Sequence, residues 1–192
     1  RGEVCRLELR LGAAVSHDFS TLAEALLERH SFASKANLLD MVKDFLGVKD
    51  FAKDVGSSLD EFQRICELRH CCAHRFGKLG AKNAISLGLD DHKHCLEKPL
   101  LLDVVSFQEL AQRLRTFAKA LNNALFGRLL WRTAHNRDDQ GIGPLYGQTW
   151  TWNFVKDRRR FMTYYKVFAS AHDSIPSPSA FALYSLFRAA HA

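Results

Sequence analysis

Apolar residues along this chain recur at intervals of three and four positions far more often than they alternate, which predicts helices rather than strands. Over Glu3–Val15, Val4, Leu7, Leu11 and Val15 keep helical spacing, with Leu9 off the stripe. A second helix is expected after Ser20, with Leu22, Ala25 and Leu26 inward and Phe32 a further candidate for that face. Ser34 reads as the N-cap of a helix whose apolar face is Leu38, Leu39, Val42, Phe45 and Leu46, and Gly47 stops it. Ser58 with Glu61 forms a capping box and opens a helix carrying Leu59, Phe62, Ile65, Cys66 and Leu68, which Gly77 and Gly80 break. Residues 77–103 read as irregular, with a short extended piece around Ala84–Leu89 and a polar loop at Asp90–His94. A second capping box, Ser106 with Glu109, opens a helix along which Leu110, Leu114, Phe117, Leu121 and Leu125 hold one side.

The pattern changes near residue 130. Asn136–Pro144 is a turn-rich hinge whose carboxylates and amide read as a solvated turn. After the basic run, Phe161, Tyr164, Tyr165 and Phe168 fall at helical spacing, and Pro176 and Pro178 precede a last helix with Phe181, Tyr184, Leu186 and Phe187. The fold class expected is therefore all-α. Residues 1–130 form a bundle of four to five helices, and residues 131–192 form a C-terminal helical extension packed on the same domain. No internal repeat is visible.

Composition fits this picture. A chain of 192 residues, 47% hydrophobic and 25% charged, buries a core and is not disordered. No apolar run approaches the roughly 18 residues that cross a bilayer, and no signal peptide is visible, so the expected location is cytoplasmic. The chain begins at Arg1 rather than methionine, which suits a piece of a longer protein. A net charge of +6 favours a polyanionic partner. Of five cysteines, Cys66, Cys71 and Cys72 share one predicted helix, where neighbours are badly placed to pair; reduced thiols are expected.

The chemistry concentrates in Glu67-Leu68-Arg69-His70-Cys71-Cys72-Ala73-His74-Arg75-Phe76-Gly77. It reads Arg-x-x-x-x-His near a helix end, then a basic residue, an aromatic and a glycine. Arginine and histidine at a helix C-terminus are also favoured there by the helix dipole, whatever the protein does. With an amphipathic helix before it, a loop and a further amphipathic helix after it, the stretch resembles the signature of the HEPN superfamily (higher eukaryotes and prokaryotes nucleotide-binding domains) across about residues 1–130. The family motif usually has a polar residue after the arginine, often asparagine; His70 stands there.

The resemblance implies a metal-independent endoribonuclease, a toxin or defence effector. Expected partners are an RNA substrate, a second copy of the chain, and an antitoxin or nucleotidyltransferase, or the rest of a larger defence protein. The alternative within the family is an inactive module that binds nucleotide or RNA or serves dimerisation. Cutting RNA without metal needs a group that moves a proton near neutral pH, which suits His74, and a permanently charged multidentate donor for the phosphorane, which suits Arg69. Five steps of about 100° set these two roughly 140° apart on a regular helix. The family's answer, carried over from the resemblance, is a dimer whose motifs share one cleft. Active relatives leave a 2′,3′-cyclic phosphate and a 5′-hydroxyl.

His70, four residues before His74, shares its face and reads either as a further hydrogen-bonding group or as an idle helix histidine. Arg75, Lys78 and Lys82 are candidates for substrate phosphates, or plain surface. Lys156, Arg158, Arg159 and Arg160 lie among aromatics; the basic side chains, Arg158 and Arg159 foremost, are RNA-contact candidates, and the aromatics read as packing. His70 and His74 also have the spacing of a helical metal pair, but Cys71 stands where the zincin glutamate would, and no Cys-x-x-Cys occurs. No metal and no cofactor are expected.

Overall fold

The computed structural model describes residues 30–144, 149–170 and 173–192. The helices expected over Glu3–Val15 and after Ser20 lie outside the described residues. Phe32 lies within them, outside any helix and exposed, so it does not serve the inward face expected of it. Among the described residues there are six α-helices and no β-strand: α1 Lys35–Leu46, α2 Lys53–His74, α3 Ala81–His92, α4 Val104–His135, α5 Phe154–Phe168 and α6 Ala180–His191. The all-α class is thereby established. The chain divides into two compact units, 1–117 and 118–192, the division falling inside α4, earlier than the change of composition suggests. From Phe126 onward the apolar side chains of α4 pack with the C-terminal helices, which gives the second unit its core.

In the first unit, Ser34 accepts from the Asn37 amide at 3.2 Å and Gly47 ends α1 in the left-handed region at φ 64°, the hydroxyl serving as the cap acceptor and the missing Cβ permitting the turn. The next helix starts earlier than the Ser58 capping box predicts. It begins at Lys53 with Ala52 as a cap that offers no side chain, because Val55 and Leu59, both buried, extend the apolar face one turn back. Phe62 stacks on Phe117 with ring centroids 4.5 Å apart.

The stretch expected to be irregular is largely helical: α3, kinked at Gly88 (φ 109°), followed by a 3-10 turn Lys93–Cys95. Ile85, Leu87 and Leu89 alternate like a strand, but Ile85 and Leu89 are exposed. Burial instead falls on Ala84, which with Leu87 packs against Cys71 and Leu79 at helical spacing. The polar loop expected at Asp90–His94 is the end of this helix and its 3-10 continuation.

The Ser106 capping box is not used either. Asp103 takes the cap, its carboxylate accepting from the Ser106 amide at 2.7 Å, and that bond holds its pKa below the usual carboxylate value.

A polar chain ties these helices together. Asn83 of α3, buried, donates to Glu67 Oε2 at 2.7 Å. Gln63 donates to Glu67 Oε1 at 2.6 Å and accepts from the Lys35 amide at 2.8 Å. This fixes the last turns of α2 against α3.

In the second unit Leu130, Ala134, Trp150, Phe161 and Tyr184 form the core. The tryptophan stacks on Tyr184 at 5.7 Å, in keeping with the expectation that these aromatics pack. Asn153 caps α5, accepting from Val155 N at 3.0 Å, so the basic run lies within the helix rather than before it. Asp157, buried in the first turn, accepts from Tyr184 Oη at 2.7 Å and from the Thr151 amide and hydroxyl. Burial first, then this carboxylate, pushes the Tyr184 phenol well above its ordinary pKa.

The Asn136–Asp139 turn is not simply solvated. Asn136 is buried, and Arg132 of α4, itself buried, grips Asp139 with two bonds of 2.6 and 2.5 Å. Arg132 holds the Asp139 carboxyl below its ordinary range.

Candidate functional site

α2 remains helical through His74, and Arg75 closes it, its amide bonded to Cys71 O at 3.0 Å. The helix end therefore does not unwind to bring Arg69 and His74 to one side, and the rotation of roughly 140° between them stands. Arg69, His70 and His74 are all exposed. The structure brings the two histidines together, with ring centroids 4.8 Å apart. It points Arg69 elsewhere.

Arg69 lines two adjoining clefts of about 310 and 400 Å³. The first is walled by Ile65, Leu68, Cys72, Leu102, Phe107, Leu110, Ala111 and Leu114, the second by Ser31, Phe32, Ala33, Phe62, Ile65, Cys66 and Leu114. Neither histidine borders them. Among the described residues Arg69 makes no hydrogen bond or ion pair. A guanidinium set in an apolar wall without a counter-ion is available to an incoming anion.

Beyond the helix end, Phe76 and Gly77 both take left-handed backbone, at φ 53° and 78°, and Gly77 N bonds to Cys71 O at 3.1 Å. Arg75 is already engaged: its guanidinium meets Glu97 at 2.6 Å, and its chain lies where a Cβ on Gly80 would sit. Its Nε is buried without a partner. Lys78, paired through its backbone with Pro99, and Lys82, in the first turn of α3, are exposed. Arg158 and Arg159 are exposed on α5, in the second unit.

Among the described residues no three His, Cys, Asp or Glu side chains converge as metal ligands. Cys66, Cys71, Cys72 and Cys95 are free thiols, and burial raises the pKa of Cys66. No helix among the described residues is long and apolar enough to cross a membrane.

Sequence reasoning missed Glu97 as the partner of Arg75 and Asn83 as that of Glu67. Neither separation carries a local signal. Gly80, three residues beyond Gly77, was legible only as a helix breaker, whereas its role is to make room for Arg75. No family model, no curated protein and no solved structure matches this chain.

Proposed function

We propose that this chain is a metal-independent endoribonuclease of the HEPN type that acts as a homodimer, each active site taking Arg69 from one copy and His70 with His74 from the other. The observation that supports this most is the pair of exposed imidazoles 4.8 Å apart at the end of α2, with a guanidinium less than two turns back that has no hydrogen bond or ion pair among the described residues. A helix that stays regular between them calls for a second copy to complete the set.

In the reaction the substrate 2′-hydroxyl oxygen attacks the adjacent phosphorus and the bond to the 5′-oxygen breaks, leaving a 2′,3′-cyclic phosphate and a 5′-hydroxyl. A proton leaves the 2′-hydroxyl and one is delivered to the departing 5′-oxygen; His74 makes one of these transfers and solvent water the other, and His70 hydrogen-bonds the phosphate beside it. Arg69 takes up the charge that grows on the phosphorane. Lys78 and Lys82 hold flanking phosphates and Arg75 shapes the turn, while Arg158 and Arg159, on the second unit, are RNA contacts in their own right. This reading sets the protein in the cytoplasm as a toxin or defence effector, governed by an antitoxin or nucleotidyltransferase partner or built into a larger defence protein.

The apolar walls around Arg69 favour one other reading: a non-cutting module that associates with another chain through this face. Mixing variants separates the two. In excess EDTA the wild type cuts RNA, whereas Arg69→Ala and His74→Ala each lose about 100- to 10,000-fold. Co-assembled at random in equal amounts, the two inactive variants recover about a quarter of wild-type activity, because about half of the dimers are mixed and each mixed two-fold dimer holds one complete site and one empty site. Failure of all three to cut, with association intact, favours the module. Variants that stay silent when mixed, beside an active wild type, reject the composite site.

A further inference from the structure

Phe76 breaks two rules at once. Its ring is 98% exposed, although aromatic side chains have the most to gain from burial. Its φ of 53° lies in the left-handed region that bulky residues avoid. Glycine here would relieve both. The turn is nevertheless tied down: Gly77 N to Cys71 O at 3.1 Å, Lys78 N to Arg75 O at 3.0 Å and Leu100 N to Gly77 O at 2.7 Å. Arg75 adds its bond to Glu97 at 2.6 Å. A phenyl ring is thus held out in solvent by a turn fixed on both sides.

What flanks the ring says what it meets. His74, two residues before, and Lys78, two residues after, are both exposed. The Lys78 ammonium has no ion pair or hydrogen bond among the described residues. Glu97, the carboxylate bonded to this turn, is matched by Arg75. An exposed ring on a fixed turn, with His74 and Lys78 two positions to either side of it in the chain, suits a nucleotide, with the base on the ring and the phosphates met by the neighbouring residues. Bases inside a duplex are already stacked on both faces, so a base that reaches Phe76 comes from an unpaired strand.

We propose that Phe76 is a base-stacking platform that seats the nucleobase next to the phosphate gathered at His74, so that the site accepts RNA that is unpaired there. This rests on the ribonuclease reading and makes Phe76 a positioning residue, not a catalytic one.

The test uses the full chain and a short single-stranded 2′-O-methyl RNA containing 2-aminopurine, which cannot be cut and whose fluorescence falls on stacking. Wild type binds and quenches the probe, and the same RNA annealed to its complement binds more weakly without quenching. Phe76→Gly binds the single strand about tenfold more weakly and does not quench, while its melting temperature stays at or above that of wild type because the left-handed strain is gone. Phe76→Trp restores quenching. If Phe76→Gly and Phe76→Leu quench and bind as wild type does, the platform is wrong while the nuclease reading stands. If wild type cuts RNA but prefers the duplex probe, the platform also falls. If wild type neither binds nor cuts RNA, both fall together.

Discussion

Asn83 Nδ2 donates to Glu67 Oε2 at 2.7 Å, joining α3 to α2 two residues before Arg69. The bond places an amide from a stretch that reads as loop against the helix that carries the candidate chemistry. A buried donor to a charged acceptor contributes about 1.5–3 kcal/mol. Asn83→Ala is therefore expected to destabilise the protein by about that amount, read from urea unfolding. Asn83→Asp is worse, since it sets a second carboxylate against Glu67.

Gly80→Ala puts a methyl group into the space held by the Arg75 side chain, against its Nε. The guanidinium has to leave and its bond to Glu97 breaks. Both partners are largely exposed, so the ion pair itself is worth little, and global stability falls by only about 1 kcal/mol. The local effect is larger: hydrogen exchange speeds up at the Leu79 and Leu100 amides, which bond to Lys98 O and Gly77 O across this turn. Unchanged exchange there would remove Arg75 as the holder of the turn.

Tyr184→Phe deletes one of the bonds that keep Asp157 buried. The expected loss is about 1–3 kcal/mol. The phenol itself titrates above its ordinary value of 10.0 in the folded protein. Its contribution is complete below that pH and is lost as the pH rises towards the elevated folded value. Ultraviolet titration should show one of the four tyrosines lagging behind the others until the chain unfolds in alkali. A titration with no such lag contradicts the Asp157 bond.

Asp139 behaves in the opposite sense. Its folded pKa is depressed by the Arg132 hydrogen bonds, so its contribution is present above the ordinary carboxylate range and is lost as the pH falls through the depressed folded value. Asp139→Asn should flatten the acid limb of a melting-temperature profile and lower the neutral-pH stability by about 1.5–3 kcal/mol. An acid limb that stays as steep in the variant as in wild type assigns the dependence to other carboxylates.

Much of the fold was legible because its signals are local. Ser34 and Gly47 bound α1 through a side-chain cap and a left-handed C-cap, each a property of one residue and its near neighbours. The apolar stripe Phe161, Tyr164, Tyr165 placed α5 on the core, and Phe161 is fully buried there. Where local signals competed, the sequence misled. Ile85, Leu87 and Leu89 mimic a strand, and only the burial of Ala84 against Cys71 and Leu79 selects a helix. Asp103 displaced Ser106 as a cap because a carboxylate accepts more strongly from an amide than a hydroxyl does.

At the candidate site, residue order alone says which chemistry is at hand and that His70 and His74 share a face, since i and i+4 positions do so on any helix. Their 4.8 Å spacing follows from that rule. What lies around the rest of the motif came from packing: the apolar clefts beside Arg69, the engagement of Arg75 by Glu97 across 22 positions, and the seating of Asn83 on Glu67 across 16. Helical periodicity acts over a few residues and is written in their order. Partners separated by a turn and a second helix meet only when the packing of whole helices brings them within reach.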